Sequence, residues 1–433
     1  MPQPVARIAV SDAVFSMDRP YDYLIPDTLA GRVQPGVRVH VPFGNGNRTR
    51  EGMVLSLTAH SDRDRLKSVC AVLDDAPVLT PAQIQLALFM QRRFFCTVYD
   101  AIKAMLPVGM WFNEQGERRT KDKYVEVARL AVAPEDAALI AENRRRKSPQ
   151  QSNLLDLLCS FGALPSIELL RFTGASRQSL KALVNAGLVE YFYREVYRRP
   201  ELFGGETEPL PTLNAEQQTA FDSLSELARA GRACAALLFG VTGSGKTSVY
   251  IHLISEQLRR GKSAILLVPE IALTPQMLRT FSSYFGNDIA VLHSSLSAGE
   301  RYDEWKRIKK GEAHLVIGTR SAVFAPVENL GIIIIDEEQE ETYKSENSPR
   351  YNARDVAKYC CAKAGCLLLL GSATPDISSR YSAAIGRYSY FSLSTRYNDR
   401  ALPEVKIVDM KDELRRGNGS DISSVLRREL EEN

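Results

Sequence analysis

Eight consecutive residues, Gly240-Val241-Thr242-Gly243-Ser244-Gly245-Lys246-Thr247, carry the most specific chemistry in this 433-residue chain. Glycines so spaced let successive backbone N–H groups curl around phosphate oxygens, and a helix opening at Ser248 adds the positive end of its dipole. In such a cradle Gly240, Gly243, Ser244 and Gly245 supply the close backbone. Lys246 reaches the β- and γ-phosphates, and Thr247 holds a divalent metal through its hydroxyl. Further along stands Asp336-Glu337-Glu338-Gln339. Asp336 suits Mg²⁺, and Glu337 suits a water that must be oriented and deprotonated for attack on the terminal phosphate. Alone, an acidic cluster is a solvated loop; this one follows the apolar run Ile332 to Ile335. Loop and acid pair are expected on neighbouring strand tips, with a nucleotide between them.

The elements that must position these groups form an α/β region from about Leu213 onward. Ala235 to Phe239, Ala264 to Val268, Ile332 to Ile335 and Leu367 to Leu370 are continuously apolar, as central strands of a parallel sheet buried on both faces should be. Function then sits at their carboxyl ends. Gln217, in Leu213-Asn214-Ala215-Glu216-Gln217, lies where an amide reads adenine or simply caps a helix. Val268-Pro269-Glu270-Ile271-Ala272-Leu273-Thr274 and Gly318-Thr319-Arg320-Ser321 lie at strand ends suited to gripping a nucleic-acid backbone. Ser372 and Thr374, in Gly371-Ser372-Ala373-Thr374-Pro375, follow the last strand. This set disfavours kinases and small GTPases.

Two regions precede it. The first, to about Pro107, reads as a small β barrel or sandwich: Arg7 to Val14, Gly36 to Val41 and Gly52 to Leu57 are rich in Val and Ile and punctuated by Pro35-Gly36 and Phe43-Gly44-Asn45-Gly46. Helical spacing follows from Thr80, a capping residue, with Pro81 at the first position. In the second region, a charged stretch at Gln115 to Lys123 reads as a linker and Arg144 to Lys147 as a solvated face. Three helices and a strand, Leu188 to Val196, match a winged helix. Arg177 and Lys181 on its third helix face either a nucleic-acid backbone or a protein partner.

Composition sets the frame. Net charge is only +3, so affinity for nucleic acid must come from local basic surface. No apolar run approaches a membrane span, and the start lacks a signal sequence, which points to the cytoplasm and to no membrane partner. Seven cysteines include no Cys-x-x-Cys pair, and Cys360, Cys361 and Cys366 fit no usual zinc knuckle; they read as reduced thiols.

The third region resembles the superfamily 2 helicases. Within them Pro269-Glu270-Ile271-Ala272-Leu273-Thr274-Pro275-Gln276, His293-Ser294, Gly318-Thr319-Arg320-Ser321-Ala322-Val323-Phe324 and Pro349-Arg350-Tyr351 are similar to the primosomal protein N′ family. Tyr21-Asp22-Tyr23, Pro35-Gly36-Val37-Arg38-Val39 and Leu66-Lys67 extend the resemblance to the N-terminus. It implies a first RecA-like helicase lobe over 201–395, a 3′-end DNA-binding domain over 1–107, a linker and winged helix over 108–200, and the start of a second lobe over 396–433. It further implies an ATP- and Mg²⁺-dependent 3′-to-5′ DNA helicase of the bacterial cytoplasm that recognises stalled forks and starts primosome assembly. The implied partners are forked DNA with a nascent 3′ end, single-stranded DNA, other primosome proteins, single-stranded-DNA-binding protein and the replicative helicase loading machinery.

By the same resemblance Asp22 accepts a hydrogen bond from a terminal 3′-hydroxyl, Tyr21 and Tyr23 frame the base, and Gly36 and Lys67 complete the pocket. An aromatic face stacks any base, and a carboxylate repels a 3′-phosphate. Arg320 grips DNA; Tyr343, Arg350, Tyr351 and Arg354 form an aromatic-rich loop that senses it; Gln339, Ser372 and Thr374 couple hydrolysis to movement. Gln339 and Asn352 stand where the family more usually has histidine, and glutamine hydrogen-bonds without titrating. The family's second lobe, with its arginines, and its zinc cysteines are expected beyond Asn433, so zinc belongs to the complete protein. The alternative to a motor is a module that binds fork DNA and nucleotide without unwinding.

Overall fold

Apolar residues alternate along the first segments of the chain, and burying one face of each closes a small barrel. The computed structural model describes residues 4–432 apart from 12, 64, 112–119, 121, 199–206 and 396–404. Strands β1 (Val5–Val10), β2 (Tyr21–Leu24), β3 (Arg38–Phe43) and β4 (Arg48–Thr58) pair in the order β2-β1-β4-β3. The short strands β5 (Lys67–Ser68) and β6 (Ala71–Val72) then add to opposite edges, β5 beside β2 and β6 beside β3. Because β5 and β6 are consecutive in sequence, this closes the sheet. Val69 N–H donates to the Leu24 carbonyl at 3.0 Å and Cys70 N–H to the His40 carbonyl at 2.8 Å. Part of each outer edge, Tyr23 and Leu24 on β2 and Val39 and His40 on β3, is thereby paired. Inside lie Ile8, Val10, Tyr23, Val39, Val41 and Val54.

Two helices carry the barrel onto the rest of the molecule. Helix α1 (Pro81–Phe94) opens on a capping box, with Thr80 Oγ1 accepting from Gln83 N–H and Pro81 at its start. Helix α2 (Val98–Met105) follows. Both bury apolar faces in one core shared with the large sheet, including Ile84, Met90, Ile102, Trp111, Trp305 and Phe324. Fully buried Arg38 braces the junction, with Nε and Nη2 on Asp74 and Nη1 on the Met110 carbonyl.

The second unit is a winged helix, but its sheet is not a simple hairpin after the third helix. Strand β7 (Tyr124–Leu130) comes first, then α3 (Pro134–Arg144), α4 (Pro149–Phe161), β8 (Ala163–Pro165), α5 (Ser166–Thr173), α6 (Arg177–Asn185) and β9 (Val189–Glu195). β7 lies between β8 and β9, so the predicted strand near Leu188 pairs with one the sequence reading did not assign. Arg177 and Lys181 are exposed on α6. Of the predicted Gln115 to Lys123 linker, residues 115–119 and 121 lie outside the described residues.

The third unit is a seven-stranded parallel sheet. Helix α7 (Ala215–Arg229) precedes β10 (Cys234–Gly240), and α8 (Lys246–Arg259) leads to β11 (Ser263–Leu267). There follow α9 (Pro275–Phe285), β12 (Ile289–Leu292), α10 (Ala298–Lys309), β13 (Leu315–Gly318), β14 (Leu330–Ile335), α11 (Ala353–Ala364), β15 (Leu367–Ser372), α12 (Ile377–Ala384) and β16 (Ser389–Leu393). The order is β12-β13-β11-β14-β15-β10-β16. The four predicted strands are its centre; β12 and β16 were not read from the sequence, and of β13 only its end at Gly318 was. Helices α13 (Met410–Arg415) and α14 (Ser424–Glu432) close the described chain. Of the predicted second-lobe opening over 396–433, residues 396–404 lie outside the described residues, and 405–432 carry α13 and α14.

Candidate nucleotide and nucleic-acid sites

The phosphate loop leaves β10 through backbone that only glycine tolerates. Gly243 and Gly245 have φ of 81° and 78°, and a side chain on Gly240 would collide with Ser244 Oγ. Ser244 Oγ is buried without a partner among the described residues, which fits a loop built around an oxyanion. Thr247 is exposed in the first turn of α8. Lys246 Nζ donates to the Gly240 carbonyl at 3.0 Å and stands 3.7 Å from Glu337 Oε1.

The acid pair ends β14, which is not adjacent to β10: β15 runs between them. The expectation of neighbouring strand tips is therefore corrected. What lets the tips meet across a strand is Gly371 in β15. A Cβ there would collide with the Tyr250 hydroxyl and lie 3.3 Å from Asp336 Oδ1. Through that gap Tyr250 Oη, from α8, donates to Asp336 Oδ1 at 2.9 Å. Burial pushes the Asp336 carboxyl above the usual aspartate range, and the Tyr250 hydrogen bond opposes this. The residues fit Mg²⁺ with a nucleotide: one carboxylate and one hydroxyl, the remaining ligands being phosphate and water.

Gln217 is corrected. It is fully buried, Oε1 accepts from Asn214 N–H at 3.0 Å and Nε2 donates to the Ser244 carbonyl at 2.9 Å. With both ends of the amide committed, it caps α7 and braces the phosphate loop instead of reading adenine.

Behind the acid pair, Gln339 Nε2 donates to Glu337 Oε2 at 3.0 Å, and Gln339 Oε1 accepts from Ser372 Oγ at 2.5 Å. Ser372 Oγ accepts in turn from Thr374 N–H at 2.8 Å. The three residues assigned to coupling thus form one chain leading to Glu337. Glu338, which sequence reasoning passed over, is fully buried. It accepts from Arg354 Nη1 at 2.6 Å, Asp376 N–H at 2.8 Å and Ser379 Oγ at 2.9 Å. Its only signal in the sequence was a third carboxylate where two suffice.

The loop between β14 and α11 is tied down by residues expected to touch DNA. Tyr343 and Tyr351 are buried; the first donates to the Asp336 carbonyl at 2.6 Å, and the second packs on Phe324. Arg320 Nη1 donates to the Thr342 and Lys344 carbonyls at 3.1 and 2.6 Å, and Arg354 is held by Glu338. As direct DNA contacts Tyr343 and Tyr351 are corrected: apolar packing draws both rings inward, where they fix the loop. Arg320 and Arg354 share that task, whereas Arg350 is exposed. Asn352 Oδ1 accepts from Arg354 N–H and caps α11. A cleft of about 1060 Å³ runs from Glu270, Ser294 and Thr319 along this loop to Asp376.

On the barrel, strand alternation separates the predicted 3′-end residues. Tyr23 points inward, buried, with its hydroxyl on the Pro42 carbonyl at 3.2 Å, and so cannot frame a base. Gly36 is also buried, with φ of 89° and the Leu79 carbonyl where a side chain would be; it fixes a turn. Asp22 faces the other way, accepting from Ser61 Oγ at 2.6 Å with Arg7 Nε at 3.5 Å. Tyr21 stands edge-on to Phe43 at 5.0 Å. Lys67 Nζ donates to the Gly44 carbonyl at 2.8 Å.

Comparison with known proteins agrees with this division of labour. Residues 7–107 match the PriA 3′ DNA-binding domain (3′BD) family and residues 214–381 the DEAD/DEAH box helicase family. The replication restart protein PriA of Bacillus subtilis is 38% identical over 99% of this chain and 60% of its own length. The chain belongs to the PriA family. The Haemophilus influenzae PriA is 32% identical over 94% of this chain and 54% of that protein, so the chain spans little more than half the length of such relatives. RecG bound to a three-way DNA junction is similar at 25% identity, covering 46% of this chain and 25% of that one, with a TM-score of 0.34. Among the described residues of this PriA relative, no helix is long and apolar enough to cross a membrane.

Proposed function

We propose that the chain supplies the ATP-binding lobe and the DNA-end-binding unit of an ATP-dependent 3′-to-5′ DNA translocase that acts at stalled replication forks and starts primosome assembly. The observation that carries this reading is the 3.7 Å approach of Lys246 Nζ to Glu337 Oε1 across Gly371. It brings the cation that meets the transferred phosphate to the carboxylate that activates water. Gly240 to Thr247 cradle the phosphates of ATP, Lys246 swings from the Gly240 carbonyl to the β- and γ-oxygens, and Thr247 and Asp336 hold the metal. Bound Mg²⁺ would offset charge on those oxygens. Glu337 orients the attacking water and takes its proton, while Gln339 holds the carboxylate and links it to Ser372. DNA in the cleft beside Arg350 can then act on Glu337 through the loop braced by Arg320 and Tyr343, and through Glu338 and Arg354.

The reading extends to partners of the complete protein: forked and single-stranded DNA, single-stranded-DNA-binding protein, other primosome proteins and the helicase-loading machinery. The test is Mg²⁺-dependent ATP binding and DNA-stimulated hydrolysis by this chain and by Lys246→Ala. Nucleotide binding that Lys246→Ala abolishes supports it. No binding of nucleotide by the unmutated chain rejects it. Binding of nucleotide and DNA with equal, negligible hydrolysis in both would favour a binding module over a motor.

A further inference from the structure

The barrel has a second feature that Asp22 does not share. At the barrel mouth the turn from β3 to β4 frames a cavity of about 420 Å³ lined by Phe43, Gly44, Gly46, Arg48 and Arg50. Two cations line it and no carboxylate does. The Phe43 ring stands at one side against Tyr21, with the Arg19 guanidinium 5.8 Å from the Tyr21 centroid. Gly44 and Gly46 have no atom within 4 Å of where a side chain would begin, so a ligand can approach the backbone itself. Arg48 is exposed and makes no side-chain hydrogen bond or ion pair among the described residues. Lys67, on the Gly44 carbonyl, holds the turn in place.

We infer that this turn is a binding site for single-stranded DNA, in which Phe43, backed by Tyr21, stacks a nucleobase while Arg48 and Arg50 take backbone phosphates. The inference rests on the DNA-end reading and deepens it. Aromatic faces stack any base, and guanidinium groups track phosphates without reading sequence. Strand alternation gives the two faces different tasks. Asp22 lies on the outer face of β2 and Tyr21 at the mouth, yet the two are consecutive residues, about 3.8 Å apart at Cα. A strand whose 3′-hydroxyl meets Asp22 therefore has its preceding nucleotides within reach of the turn. Asp22 recognises the end, and the turn supplies affinity without regard to the end's chemistry.

The test is fluorescence anisotropy of short single-stranded DNA, ending in 3′-hydroxyl or 3′-phosphate, titrated with the protein over a range of salt. Each phosphate contact contributes about 0.7 to the slope of log K against log[salt] for single strands, so Arg48→Gln should flatten the slope by about that amount for both oligonucleotides. Phe43→Leu, which keeps an apolar side chain, should weaken both roughly tenfold by loss of stacking. Asp22→Ala should remove the preference for 3′-hydroxyl and leave the slope alone. Unmutated protein that binds DNA, with Arg48→Gln matching its slope and affinity, would overturn the inference and leave the DNA-end reading standing. Unmutated protein that binds no DNA would overturn both. Arg48 is exposed, so its replacement tests the site even if Phe43→Leu fails to fold.

Discussion

Gly371→Ala should cripple the nucleotide site from a position that touches no nucleotide. The added methyl would overlap the Tyr250 hydroxyl and lie 3.3 Å from Asp336 Oδ1, in the fully buried strand β15. Either β15 moves, which separates the phosphate loop from the acid pair, or Tyr250 swings away and Asp336 loses its 2.9 Å hydrogen bond. Overpacking of this kind costs roughly 1–3 kcal/mol, and a hydrogen bond to a carboxylate is worth about 1.5–3 kcal/mol. A net loss near 2 kcal/mol corresponds to a fall of about 4–8 °C in the unfolding temperature of a unit this size. The catalytic cost is larger, because misplacement of a catalytic group by about 1 Å can reduce the rate on the order of 100-fold. The assays are thermal unfolding followed by circular dichroism and Mg²⁺-dependent ATP hydrolysis on single-stranded DNA, in the complete protein. Tyr250→Phe removes the clashing oxygen and leaves the ring carbon 2.9 Å from the new methyl, so Gly371→Ala/Tyr250→Phe should recover part of the unfolding temperature lost in Gly371→Ala. Gly371→Ala with unaltered unfolding and unaltered hydrolysis would refute the claim that this glycine spaces the two strand tips.

Two further outcomes follow from the same geometry. Gln217→Ala removes a helix cap and a bond to the phosphate loop, which should cost about 1–2 kcal/mol and weaken ATP and GTP alike. A competition assay in which the ATP-to-GTP ratio collapses would restore Gln217 as an adenine reader. Burial raises the Asp336 carboxyl and Tyr250 opposes the shift, so Tyr250→Phe raises it further. Protons compete with Mg²⁺ for the ionised form, so metal-dependent nucleotide binding, followed by calorimetry as pH falls, should be lost at a higher pH in Tyr250→Phe; an unmoved acid limb contradicts this.

Residue order alone determined the parts of this protein whose rules are local. Gly243 and Gly245 before a helix, the four-isoleucine strand before Asp336, and Thr80-Pro81 at the head of α1 each specify conformation through neighbours within a few positions. The family-specific strings around Glu270, Arg320 and Arg350 likewise need no coordinates. Tertiary structure decided which of the candidate side chains are buried. Tyr23, Tyr343 and Tyr351 differ in no sequence signal from exposed tyrosines. They turn inward because sheet closure and the packing of α11 offer them apolar cavities whose filling exceeds the gain from solvation. Gln217 is fixed by a carbonyl that arrives from a loop far along the chain, and Glu338 by a guanidinium and a helix start that only the folded sheet brings together. The same holds for Gly371, whose role exists only because β15 lies between β10 and β14. Strand order is set by how long-range pairings share the buried surface, and no local pattern encodes it.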